Sequence, residues 1–169
     1  MSATLASDDD PSAAAAQFER LRRAVLAMPM ARTLGLAFRS IERGRVELEL
    51  PIADAFTFRP GQLQATAVFA AGDFAAVSAA GTLLKPGWIN ATIDATLKLV
   101  APARGRRLIA RGRVVHAAGL LTVCAADVYA DDGGRETLCA TLLGTARNLD
   151  IAATTAAAAR TDQAGTASS

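Results

Sequence analysis

One stretch limits what this chain can become: QLQATAVFAAGDFAAVSAAG, residues 62–81. It is built of small apolar residues, and one carboxylate, Asp73, stands in its middle. A helix from Leu63 to Leu84 would be long enough to cross a bilayer, at ~1.5 Å of rise per residue. Its content argues against that. Alanine and glycine are only weakly apolar, and a central Asp costs ~2.5–3.5 kcal/mol on insertion scales. No other stretch reads as a second span, so no membrane partner is expected. A helix apolar on every side must then be wrapped by the rest of the chain.

The rest of the chain is mostly of period two. In RVELELPI, Val46, Leu48 and Leu50 fall on one face, with Glu47 and Glu49 on the other. INATIDATLKLV repeats this over a longer run. Ile89, Ala91, Ile93, Ala95, Leu97 and Leu99 are predicted to share one face, and Asn90, Thr92, Asp94, Thr96 and Lys98 the other. RRLIARGRVVH, LLTVCAADVYA and ETLCATLLGTAR follow, parted by APARG, AAG and DDGG. The last is a hairpin signal, because Asp and Gly accept the positive φ of tight turns. Ahead of the sheet, AAQFERLRRAVLAM spaces Phe18, Leu21, Val25 and Met28 at helical intervals, which predicts an amphipathic helix packed on an edge. LGLAFRSIERG begins the sheet.

The predicted order is helix, two strands, one long buried helix, four antiparallel strands. That is an α+β fold with an antiparallel sheet wrapped around one long central helix. A curled sheet leaves one flank of the helix for a second subunit, so a homodimer is expected.

The ends differ from this middle. MSATLASDDDPSAAAAQ has no basic segment ahead of an apolar run, so no secretory signal is read there. Residues 1–16 are expected to be a mobile arm, 17–150 the folded domain, and 151–169 an Ala/Thr/Ser-rich tail. Cys124 and Cys139 form no CxxC pair and are read as reduced core thiols of a cytoplasmic protein. The one histidine, His116, is read as a strand-end surface residue and argues against a histidine-rich metal site. No cofactor is expected. A net charge of +2, with one Trp and one Tyr, makes nucleic acid a poor candidate partner.

From about Met28 to Asn148 the chain resembles the PaaI-like hot-dog acyl-CoA thioesterases. MPMARTLGLAFRSIERGRVELELPI is similar to that family's leading helix, Leu-Gly turn and first hairpin. TIDATLKLVAPARGRRLIARGRVVHAAG is similar to its next strand, Pro-Ala-x-Gly turn and following strand. At the start of the central helix the family reads Asn-x-x-Gly-x-x-His-Gly-Gly, then six residues, then Asp or Glu. Here FRPGQLQAT is followed by six residues and Asp73. Gly61 falls on the Gly, Gln64 on the His, Ala65 and Thr66 on the glycine pair, and Phe58 on the Asn.

The resemblance implies a hot-dog fold and hydrolysis of an acyl-CoA thioester. Asp73 would be the general base or nucleophile, acting across a dimer interface near the partner's helix start. Free N–H groups around Ala65 would hold the developing oxyanion. Gln64 would donate to the substrate carbonyl, and Thr92 would orient the attacking water. Apolar surroundings should raise the pKa of Asp73. Arg104, Arg106 and Arg107, with Arg111 and Arg113, are candidates for holding CoA phosphates; the other reading is a solvated sheet face. Phe56, Phe58, Phe69 and Phe74 suggest a cleft suited to apolar acyl groups, and the assembly is a homodimer or a pair of dimers. Two alternatives stay open. Asp73 could be a structural interface acid paired with an arginine, and Ser78 is read as helix packing. The chain could also be a hot-dog module that binds acyl-CoA or another apolar ligand without turning it over.

Overall fold

A computed structural model describes residues 11–155. Helices α1 (Pro11–Ala27) and α2 (Pro29–Leu34) precede strands β1 (Ala37–Glu42) and β2 (Arg45–Pro51). A 3-10 turn, Asp54–Phe56, leads into a small hairpin, β3 (Thr57–Arg59) and β4 (Gln62–Leu63). The central helix α3 (Ala65–Gly81) is followed by β5 (Trp88–Leu99), β6 (Arg107–Ala117), β7 (Leu121–Asp131) and β8 (Glu136–Asp150). Six strands form one antiparallel sheet in the order β1-β2-β6-β7-β8-β5. The α+β order expected from periodicity is present. The β3–β4 hairpin was not expected, because strands of three and two residues carry no periodic signal.

The expected boundary between arm and domain, after residue 16, falls inside α1. That helix is described from Pro11, and the Ala run after it favours the helical state. The arm before residue 11 lies outside the described residues. Of the expected tail, residues 151–155 are helical and the remainder lies outside the described residues. Among the described residues no helix is long and apolar enough to cross a membrane.

The small residues of α3 let the sheet come close. Ala67, Ala71, Gly72, Ala75, Ala76 and Ala79 are buried along it. Gly112 of β6 lies against the backbone of α3: a Cβ there would stand 2.0 Å from the Ala75 carbonyl oxygen. Larger side chains from the sheet fill the remaining space. Leu48, Leu50, Leu108 and Val128 are fully buried, each contributing ~1.5–3 kcal/mol. Cys124 and Cys139 are free thiols within this core.

The described residues leave one flank of the central helix partly uncovered, as expected of a sheet that curls around only part of it. Phe69, Ala70, Asp73, Phe74 and Val77 form a stripe that the sheet covers only in part, at Asn90 and Thr92 of β5, and Phe69 is 37% exposed. A sheet on one side covers only part of a helix circumference, and α1 covers only the C-terminal part of what is left.

The long alternating run of β5 does not keep one face. A β-bulge between Thr92 and Asp94 shifts its register against β8. Before the bulge, the side chains of Asn90 and Thr92 bond to groups of α3. After it, Ala95 and Leu97 pack on the core. Ile89 and Ile93 are left exposed, at 49% and 57%. The extra residue of a bulge exchanges the two faces, so one unbroken period in the sequence becomes two half-strands of opposite phase.

Candidate functional site

Asp73 sits on the open stripe of α3, at a cavity of about 190 Å³. Leu21 and Val25 of α1, Met28 just beyond it, and Phe74 and Val77 of α3 give its apolar walls; Asn90 and Thr92 of β5 supply polar groups. The amphipathic stripe of α1 therefore forms one wall of the acid's cavity. Its spacing was legible in the sequence, but its position beside Asp73 was not.

The Thr92 hydroxyl donates to Oδ1 of Asp73 at 2.9 Å. Asn90 Nδ2 donates to the Val77 carbonyl at 2.9 Å and ties β5 to the helix. Burial raises the Asp73 carboxyl above its ordinary value, and the Thr92 hydrogen bond partly offsets this. No arginine or lysine of the described residues forms an ion pair with it. The arginine that a structural acid would require is thus not supplied from within the described chain. Behind Asp73, burial and the nearby carboxylate push the Cys124 thiol up to about 11, which keeps it protonated at neutral pH.

The start of α3 is a second locus. Gln64 is its N-cap residue; its carbonyl accepts the Ala67 and Val68 amides, at 3.1 and 3.3 Å. Its side chain is exposed and makes no capping bond. The N–H groups of Ala65 and Thr66, in the first turn, have no carbonyl one turn earlier in the helix to bond. Ala65 lies beside a cavity of about 290 Å³ bordered also by Phe58, Leu63, Val68 and Leu99.

Asp73 is eight residues beyond Ala65, about 12 Å along the axis at 1.5 Å per residue. The fold therefore brings Asp73 and Thr92 together, and Gln64 and Ala65 together, but keeps the two pairs apart within one chain. Of the four phenylalanines, Phe74 lines the acid's cavity and Phe58 the cavity at the helix start. Phe56 packs on the core, and Phe69 lies on the open stripe.

The arginines do not form one patch. Strand alternation places Arg107, Arg111 and Arg113 on the sheet face away from α3, opposite carboxylates. Arg107 bonds Asp131 at 2.8 Å and pairs with Glu49 at 3.2 Å. Arg111 meets Glu47 at 2.7 Å and Glu136 at 2.6 Å, and its guanidinium lies 4.7 Å from the Tyr129 ring centre. Arg113 pairs with Asp127 at 3.1 Å. Arg107 thus stands apart from Arg104 and Arg106, with carboxylates already beside its guanidinium. Arg106 lies over Gly133 of the β7–β8 turn. Arg104 instead reaches Gln62 of β4, donating from Nε to Oε1 at 2.9 Å. Arg59 and Gln62, absent from the sequence reading, become visible only through that long-range contact.

His116 is exposed on β6, and Ser78 is buried in α3. Among the described residues no three His, Cys, Asp or Glu side chains are grouped to hold a metal ion.

No family model matches the chain, and no curated protein matches its sequence. Its likeness is to solved structures. A thioesterase family protein from Silicibacter pomeroyi is 32% identical at a TM-score of 0.75, over 79% of this chain and 98% of that one. A phenylacetic acid degradation-related protein from Ralstonia eutropha JMP134 is 25% identical at 0.66, over 78% and 98%. A thioesterase from Haemophilus influenzae, 16% identical at 0.70 over 79% and 91%, shares the fold. The antiparallel sheet packed on α3 and the identity to the first of these relatives agree. This chain belongs to the PaaI-like hot-dog thioesterase family.

Proposed function

We propose that this protein hydrolyses an acyl-CoA thioester, with Asp73 as the general base or nucleophile. One observation carries the reading: a carboxylate with no cation partner among the described residues, held by a hydroxyl at an apolar cavity, on a flank of α3 that those residues leave partly open. A structural acid would be neutralised by an arginine; a reacting one has to stay available.

In the assembled enzyme a second copy covers the open stripe and brings Asp73 to the partner's helix start. The thioester oxygen lies on the N–H groups of Ala65 and Thr66, where the helix dipole favours negative charge. Gln64 donates a further hydrogen bond. Asp73, oriented by Thr92, takes a proton from water as its oxygen adds to the thioester carbonyl. The tetrahedral oxyanion then collapses, the C–S bond breaks, and the thiolate leaves, taking the proton that Asp73 holds. In the nucleophilic variant the carboxylate adds directly, the C–S bond breaks and the thiolate is expelled, and water then cleaves the resulting anhydride to free the acid, Asp73 and a proton for the thiolate. Arg104 and Arg106 lie at the β5–β6 turn, where they can meet the carrier's phosphates. The two buried free thiols fit a cytoplasmic setting.

The test is release of free CoA from short, medium and aryl acyl-CoAs. A binding module without turnover remains the second reading, favoured by Gln64, which cannot shuttle protons at neutral pH. Micromolar CoA binding with no thiol release from any acyl group would select it.

Two expected outcomes follow from this geometry. β5 presents a twelve-residue edge that no described residue pairs, and such an edge is a template for another chain. Light scattering at micromolar concentration should give at least twice the 17.4 kDa chain mass; a monomer would remove the shared site. Thr92→Val removes the hydrogen bond that lowers the Asp73 pKa. The acid limb of its kcat/KM profile should move to higher pH, with kcat lowered by ~10-fold at neutral pH. An unmoved limb would mean that Thr92 does not position the acid.

A further inference from the structure

We propose that Arg59 and Arg104 form a clamp for a phosphate ester, with Gln62 setting their spacing. The clamp deepens the thioesterase reading, on which it rests for the identity of the carrier but not for its geometry. The β3–β4 hairpin is joined to the turn before β6 by an isolated bridge between Gln62 and Arg104. On that bridge one neutral oxygen, Oε1 of Gln62, accepts three bonds from two guanidiniums. Arg59 donates from Nε at 2.9 Å and from Nη2 at 2.7 Å, and Arg104 donates from Nε at 2.9 Å.

Neither cation forms an ion pair with a carboxylate of the described residues, whereas Arg39, Arg107, Arg111 and Arg113 of the sheet each do. Two like charges thus converge on an uncharged acceptor at an exposed surface. An amide oxygen can order them but cannot neutralise them. A phosphate can do both, since a planar guanidinium fork matches its oxygens. Arg59 is also placed by its own neighbour, with its guanidinium 5.3 Å from the Phe58 ring centre.

Location selects the ligand. Phe58 and Gln62 border the cavity at the start of α3, whose other walls include Leu63, Val68 and Leu99. A ligand held here has an anionic end at the clamp and an uncharged arm that can run into an apolar cavity beside Ala65. Coenzyme A and 4′-phosphopantetheine share that chemistry: a phosphate ester on a long neutral arm.

Calorimetric titration with CoA, 4′-phosphopantetheine and pantetheine tests the clamp on wild type and on the Arg59→Ala/Arg104→Ala double variant. CoA should bind the double variant at least tenfold more weakly, while pantetheine, which has no phosphate, should not distinguish the two proteins. A parallel loss with 4′-phosphopantetheine places the clamp on the phosphate next to the arm; a loss confined to CoA places it on the nucleotide phosphates. Gln62→Glu gives a second view, because an internal carboxylate should occupy the clamp and weaken CoA tenfold without lowering the melting temperature. Unchanged CoA affinity in the double variant, or no CoA binding by wild type at millimolar concentration, overturns the clamp.

Turnover separates this proposal from the one it rests on. The double variant should show a tenfold higher KM for hexanoyl-CoA at unchanged kcat. It should match wild type on the hexanoyl thioester of N-acetylcysteamine, which carries no phosphate. If wild type hydrolyses neither thioester, the thioesterase reading fails, and the calorimetry still decides the clamp.

Discussion

Asp73→Asn should lower kcat toward hexanoyl-CoA by at least ~100-fold, as expected for loss of a general base, and leave the melting temperature unchanged or higher. The substitution is nearly isosteric. The new amide oxygen can still accept from Thr92, the one side-chain bond that Asp73 makes among the described residues, and no ion pair with a described residue is broken. What disappears is a partly buried charge. The Asp73 carboxyl holds its proton more tightly in the folded chain than at the ordinary value of 3.8, mainly through burial. Its contribution to stability is therefore fully present below that value and is lost as pH rises through the raised folded pKa. At neutral pH the ionised acid weakens the fold, and the amide does not. Any gain in melting temperature should accordingly shrink as the buffer is taken down through the carboxylate range. In wild type the acid limb of kcat/KM should lie above 3.8, since the base acts only when ionised. Near-full activity in the variant, or a loss of several kcal/mol of stability, would make Asp73 structural and leave the binding module as the better reading.

The largest loss of stability is expected from Gly112→Ala, at more than ~4 kcal/mol, in the range that single substitutions reach only by forcing packed backbone apart. The added methyl would sit 2.0 Å from the Ala75 oxygen and 2.3 Å from its carbonyl carbon. Neither atom belongs to a side chain that could rotate away. Relief requires α3 to lift from β6, which would open the core around Leu48 and Leu108 and displace the acid's own helix. Gly61→Ala is the comparison. Gly61 has nothing within 4 Å of a new Cβ, but its φ of 69° is left-handed, so its cost should stay near ~1–2 kcal/mol. Urea unfolding midpoints of the two variants measure the difference. A Gly112→Ala protein that unfolds within ~1 kcal/mol of wild type would show that helix and strand do not meet as closely as this.

Short-range pattern carried a large part of the fold. Alternation in RVELELPI and the helical spacing of Leu21, Val25 and Met28 arise from bonds between near neighbours in the chain, so the residues alone reveal them. Asp73 stood out as the lone carboxylate of an apolar segment; its register from Gly61 and Gln64 carried meaning only through the resemblance to the family's pattern.

Other features depended on partners far away. β5 reads as one unbroken period, yet its pairing with β8 inserts a bulge beside Thr92, and that bulge lets Asn90 and Thr92 bond to groups of α3 while Ala95 and Leu97 still reach the core. The basic run from Arg104 to Arg113 reads as one patch, yet Arg111 meets Glu47 across 64 residues while Arg104 meets Gln62 across 42. Local periodicity follows from the geometry of the peptide chain and is written along it. Which charge is neutralised, and which face of an acid-bearing helix stays open, is decided when strands distant in sequence settle side by side, because Coulomb and contact forces act through space.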